Sequence, residues 1–202
     1  MATKKKNTTT KSKPAKRTSK ADMRVAIARD VIAQLKAGYL QAKSGTWVQD
    51  SKLGTLEDFV EFRNDFNKPM DACEFVNNAN KCSVCSLGAI FMSSFKLFQP
   101  KVMLQDGWEA WAIFEELDQS PLAKYFPVET LGMIEACFEG ADGVHDAGTR
   151  EGIAAAYEKS FKDPTNRLNA IMANIIRNEG QFKPEQDLTK EGAISALVEI
   201  FS

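Results

Sequence analysis

A few side chains in this sequence have types and spacings that could carry chemistry. Cys82 and Cys85 form a Cys-x-x-Cys pair, the spacing of a thiol redox couple or of one half of a zinc site. At a helix start, exposed amides and the helix dipole favour thiolate. A redox pair needs a strand-turn-helix setting, and no parallel-sheet pattern precedes these residues. A zinc site needs two more ligands, and only Cys73, Cys137 or His145 could supply them; a second Cys-x-x-Cys or a His-x-x-x-His half is absent. The plainer alternative is that Cys85 acts as a small buried hydrophobe facing a neighbouring helix.

His145 is the single histidine, and it lies between Asp142 and Asp146 in the stretch EGADGVHDAGT at 139–149. The trio could hold a divalent ion or let the imidazole shuttle a proton, although acids at alternate positions, which a calcium loop needs, are missing. The competing view is an exposed polar loop tip, because Gly and Asp clusters are mostly turn chemistry. No Gly-x-x-x-x-Gly-Lys-Ser/Thr, Gly-x-Gly-x-x-Gly or Gly-x-Ser-x-Gly motif is present. Phosphate-cradle and serine-elbow schemes therefore lack support.

The third group is electrostatic. Lys4, Lys5, Lys6, Lys11, Lys13, Lys16, Arg17 and Lys20 give the first twenty residues a charge of +8 with no acid. The remaining 182 residues hold 18 basic and 27 acidic groups, a net of -9, so the overall charge of -1 conceals a strong asymmetry. Residues 2–20 have no large apolar side chain and are expected to be disordered, which makes 1–21 an arm and 22–202 a single globular domain. Such an arm can bind phosphate backbones by counterion release without reading sequence, or it can simply solubilise.

The elements that must position these groups read as helices. Lys81 to Phe98 is the densest apolar run, with Val84, Leu87, Ile90, Phe91, Phe95 and Phe98 at spacings of three and four. Cys82 and Cys85 would then lie in its opening turn or just before it, with Asn77, Asn78, Asn80 and Ser83 as candidate caps. Gly88 in mid-helix implies a close neighbour, a helix or an aromatic ring pressed against bare backbone. Further helices are predicted from Asp22 to Ala37, capped by Asp22 or Ser19 and closed by Gly38, and from Thr55 to Phe66. Others follow over Gln105–Leu117, Pro127–Phe138, Arg150–Phe161 after Thr149, from Asp163-Pro164 to Gly180, and Lys190–Phe201 after Thr189. Tyr39 to Leu53 reads as a turn-rich connection whose one large anchor, Trp47, would lie over the core and is a pocket candidate. No alternating strand of more than four residues stands out, so the predicted class is all-α, a compact domain of about seven helices.

With 44% hydrophobic residues the chain has enough apolar surface for a substantial core. Lys81, Lys96 and Lys101 interrupt the best candidate for the roughly 20-residue run that a membrane span requires. Met1 to Lys20 has no apolar signal-peptide core, and a cytoplasmic protein with thiol cysteines is expected.

The amphipathic first helix, Trp47, the run Cys85-Ser86-Leu87-Gly88-Ala89 and His145-Asp146 before Thr149-Arg150-Glu151 together resemble a family of small uncharacterised bacterial and phage helical proteins. That family has a Trp segment, a Cys-x-x-Gly-Ala helix and a Trp-Asn-Asp turn, and the likeness spans about 22–161. This chain departs from it by carrying Val144-His145-Asp146 at the turn. The resemblance implies a compact helical fold, no known activity and, for a phage protein, action in the host cytoplasm.

The expectation is therefore a non-enzymatic binding protein with no cofactor, whose partner is a protein or a nucleic acid reached through the arm. The alternative is a small-molecule enzyme or metal-binding protein, with zinc as the metal, built on Cys82, Cys85, His145 and Asp146. Composition does not specify an oligomeric state.

Overall fold

A computed structural model of the chain describes residues 18–56, 70–98, 103–104, 120–141, 143, 145–189, 191–192 and 198. Helix α1 spans Lys20–Lys36 and starts two residues before the predicted Asp22, so Lys20 and Ala21 belong to the helix and not to an arm. The cause is a capping box: Ser19 Oγ accepts from the Asp22 amide at 3.1 Å, and the Asp22 carboxylate accepts from the Ser19 amide at 3.1 Å. At the other end Gly38 adopts φ +73°. The Tyr39 amide reaches the Gln34 carbonyl and the Gly38 amide the Leu35 carbonyl, the paired bonds of a Schellman stop.

Strand β1 is Leu40–Ala42, β2 is Val48–Asp50 and β3 is Gly54–Thr55. Strand β4 is Met70–Asp71, helix α2 Ala72–Asn78 and strand β5 Cys82–Val84. Helix α3 is Ser86–Phe98 and strand β6 is Met103–Leu104. A short 3-10 turn at Pro121–Lys124 precedes helices α4 (Val128–Glu139), α5 (Arg150–Ser160) and α6 (Pro164–Arg177). A second 3-10 turn spans Pro184–Gln186.

The fold is helix-rich but not all-α. Strands β1, β5, β2 and β3 form a mixed four-stranded sheet in that order, with β1 parallel to β5 and the other pairings antiparallel, and β4 pairs with β6 in a two-stranded ribbon. These strands are two or three residues long, too short for a period of two to register in the sequence; their pairing supplies what their length does not. The predicted turn-rich connection from Tyr39 to Leu53 is thus two strands of the sheet. The helix predicted from Lys81 begins only at Ser86, because Cys82 to Val84 pair with β1 and β2.

The four helices predicted from their caps and apolar stripes are present as α1, α4, α5 and α6. Thr149 Oγ1 accepts from the Gly152 amide at 3.0 Å, and the Asp163 carboxylate accepts from Asn166 at 2.9 Å. Of the helix predicted at Thr55–Phe66 only Thr55, which ends β3, and Leu56, which is helical, are described; the helix predicted at Gln105–Leu117 and residues 1–17 of the arm lie outside the described residues. Of the one at Lys190–Phe201, Glu191, Gly192 and Val198 are helical, and Thr189 caps Gly192 at 3.0 Å.

Helix α3 is the centre of the core. Every residue from Ser86 to Phe95 is buried, and α1, α2, α4 and β5 pack around it. Phe91 and Phe95 stack at 4.2 Å, and Trp47 lies 5.6 Å from Phe91. Gly88 has the close neighbour its position implies, but that neighbour is main chain: an added Cβ would stand 2.0 Å from the Trp47 carbonyl oxygen. No helix among the described residues is long and apolar enough to cross a membrane.

Candidate functional site

Burial alternates along the three longer strands. Leu40, Ala42, Val48, Asp50, Cys82 and Val84 face the core, whereas Gln41, Gln49 and Ser83 face out. Register aligns the outward residues into one row: Gln41 lies opposite Ser83, Ser83 opposite Gln49, and Gln49 opposite Thr55. A row of carboxamides and hydroxyls therefore crosses the sheet. Beside it is a cavity of about 670 Å³ whose wall includes Tyr39, Gln41, Gln49, Ser51, Lys81 and Ser83. A smaller cavity of about 200 Å³ adjoins it and shares Tyr39, Leu40 and Cys82. Tyr39, 56% exposed just beyond the stop of α1, stands between the two.

Asp50 forms part of the floor. One carboxylate oxygen accepts from the Lys52 and Leu53 amides at 2.7 and 2.9 Å, and the other from Asn80 and Lys81 at 2.9 and 3.3 Å. Burial alone would raise its pKa, but the four amides outweigh it and hold the group below the usual carboxylate value. Asp50 therefore ties the loop after β2 to the chain entering β5 and stays ionised.

The cysteines are in a different state from the one a helix start implies. Cys82 is the first residue of β5, and its thiol lies 4.0 Å from the Asp50 carboxylate. Burial and the Asp50 charge push it up to about 12. Cys85 carries the carbonyl that receives the first bond of α3, from Ala89, and its sulfur accepts from the Gly88 amide at 3.4 Å. It is thus the cap itself, in place of the predicted asparagines and Ser83. The setting is the strand-to-helix junction that a redox pair requires and that the sequence does not display. Even so, burial also pushes Cys85 up to about 12, against the effect of the Gly88 amide. Cys137 is likewise pushed up to about 12 by burial, and all three thiols are free.

His145 and Asp146 are exposed in the loop between α4 and α5. The Asp146 carbonyl accepts from the Thr149 amide at 2.9 Å and its hydroxyl at 2.8 Å, so Asp146 shapes the turn that starts α5 through its main chain. Trp47 is partly buried, and its carbonyl accepts from the Cys85 amide at 3.1 Å, which brings those two residues together. Of Cys82, Cys85, Trp47, His145 and Asp146, only Cys82 lines the large cavity. No group of three His, Cys, Asp or Glu side chains suited to a metal ion occurs among the described residues. Lys20 aside, the cationic arm residues are outside them.

Sequence patterning did not point to Tyr39, Gln41, Gln49, Asp50, Lys81 or Ser83. The only signal was apolar-polar-apolar at Leu40-Gln41-Ala42, a triplet too short to mark a strand by itself. Comparison with family models, curated proteins and solved structures gives no match to this chain.

Proposed function

We propose that this is a binding protein and not an enzyme, acting in the cytoplasm, with a protein or a nucleic acid as its partner. The observation that carries this reading is the polar row Gln41-Ser83-Gln49-Thr55 beside the large cavity. Uncharged donors and acceptors set side by side on a rigid sheet suit hydrogen-bonded recognition. Asp50 in the floor has its lone pairs directed to four backbone amides, and the thiol beside it is held protonated. Neither is poised as a base or nucleophile.

The cationic segment from Lys4 to Lys20 adds a salt-sensitive attraction to polyanions. The resemblance to small bacterial and phage proteins is compatible with this reading, and a phage-encoded chain would act in the host cytoplasm. Binding of an arbitrary duplex DNA, followed by fluorescence anisotropy over a salt series, tests the nucleic-acid version. Affinity is expected to fall with salt at a slope of about 0.9 per phosphate contacted, and to be lost on deletion of residues 1–17, which leaves Ser19 and the capped start of α1 in place. Equal binding by the truncated chain removes the arm from the proposal. A protein partner should bind the truncated chain but lose affinity when Gln41 and Gln49 are both changed to Ala.

A further inference from the structure

A third cavity shares no wall residue with the two beside the sheet, and its wall is cationic. It measures about 310 Å³ and is lined by Arg24, Pro127, Thr130 and the run from Gly180 to Lys183. These residues come from α1, the start of α4 and the segment after α6, so only the fold assembles them.

Arg24 is part-buried and anchored on one side: its Nη1 donates to the Tyr125 carbonyl at 3.0 Å. Its Nε is enclosed and has no acceptor among the described residues. A buried guanidinium donor without an acceptor is costly, and an anion is the partner that matches it. Lys183 is held by its main chain. Its amide donates to Asn174 Oδ1 at 2.8 Å and its carbonyl accepts from Asn174 Nδ2 at 2.8 Å, so its ammonium works from a fixed base. No ion pair of Arg24 or Lys183 with an acid occurs among the described residues.

The start of α4 adds to this. Pro127 precedes the helix and no side chain caps it, which leaves first-turn amides beside Thr130 in the cavity wall. Gly180, at φ +86°, lies so close to α1 that a Cβ there would be 2.7 Å from the Ala21 carbonyl, so the segment bearing Lys183 is locked against α1.

We propose that this cavity is an oxyanion-binding site, taking a phosphate group either as the free ion or as a small phosphomonoester. It is independent of the sheet-face cavity and of the cationic arm.

Isothermal titration of the full chain with inorganic phosphate, glycerol phosphate and acetate at constant ionic strength tests it. Saturable binding of at least one phosphate probe, weaker by about tenfold in Lys183→Gln and in Arg24→Gln, is the expected result. The tighter of the two probes identifies the ion or the ester as the natural form. Lys183→Gln is the decisive variant, because the lysine side chain is exposed and the main-chain bonds to Asn174 survive the change; circular dichroism checks its fold. The arm lysines are intact in both variants, so phosphate held by the arm would not change. Absence of saturable phosphate binding, equal affinity in wild type and Lys183→Gln, or acetate binding as tightly as phosphate would each overturn the proposal.

Discussion

Asp50 and Asp187 are both closed off from solvent, with 2% and 0% of their surfaces exposed, yet they are held in opposite ways. Asp50 is held by main chain: four amides from two loops converge on its oxygens beside a cavity. Asp187 is held by side chains. Tyr157 donates to it at 2.7 Å, Asn174 at 2.9 Å, and Arg177 completes the set. The ionisation of the two diverges accordingly. Asp50 is held below the ordinary carboxylate value because its amides outweigh burial, whereas at Asp187 burial dominates and raises the pKa despite Tyr157, Asn174 and Arg177. Amide dipoles fixed by two loops stabilise a charge without bringing in another ion that must itself be desolvated. The first arrangement suits a site floor, and the second suits a clasp that draws the segment after α6 onto α5 and α6.

The comparison can be broken most severely at the clasp. Asp187→Ala removes the buried acceptor that Arg177, the Tyr157 hydroxyl and the Asn174 amide share, with only the Asn174–Lys183 carbonyl bond kept at that amide, and is expected to cost about 3–5 kcal/mol in urea unfolding. A cost near zero would mean that water replaces the carboxylate there. Asp50→Asn comes next, at about 2 kcal/mol near neutral pH, because one acceptor oxygen becomes a donor facing backbone amides.

The sign of the pH dependence sharpens the contrast. The folded pKa of Asp50 is depressed, so its contribution is present above the ordinary value of 3.8 and is lost as pH falls through the folded value. That of Asp187 is raised, so its contribution is full below 3.8 and is lost as pH rises through the folded value. On acidification the stability gap between wild type and Asp50→Asn should therefore shrink, while wild type should gain relative to Asp187→Asn. Parallel slopes in the two variants would refute the distinction. Tyr157→Phe removes one donor from the clasp and leaves Asn174 and Arg177 in place, with an expected cost of about 1–2 kcal/mol.

The smallest effect concerns the sheet side. Cys82, Cys85 and Cys137 should be alkylated only as fast as the chain opens, so mass-mapped labelling under native conditions should leave them almost unmodified. Rapid labelling of Cys82 would show that the floor beside Asp50 is open and would revive a thiol-based activity.

How much of this was legible differs by element. Ser19, one of the two caps offered for the first helix, Gly38, Thr149 and Asp163-Pro164 marked helix ends correctly, because a cap acts within three or four residues and its signal is local. The tight packing at Gly88 was legible for a similar reason: a mid-helix glycine is unfavourable unless something needs the space. The sheet was not, since strands of two or three residues are defined by partners up to 42 positions away, as in Gln41 opposite Ser83. The cysteine pair stayed ambiguous because its spacing resembles a reactive site, whereas reactivity depends on burial, which spacing does not carry.

By itself the sequence determined where α1 stops and where α5 and α6 start, the apolar segment that becomes α3, and the separation of positive from negative charge, all consequences of neighbouring residues and composition. Only the tertiary structure decided that Cys82 enters a strand, that Gln41, Ser83 and Gln49 align, that Asp50 keeps its charge, and that Arg24 and Lys183 line one cavity. Those outcomes depend on which distant backbone amides and side chains surround a group, and that is a property of the closed chain in space.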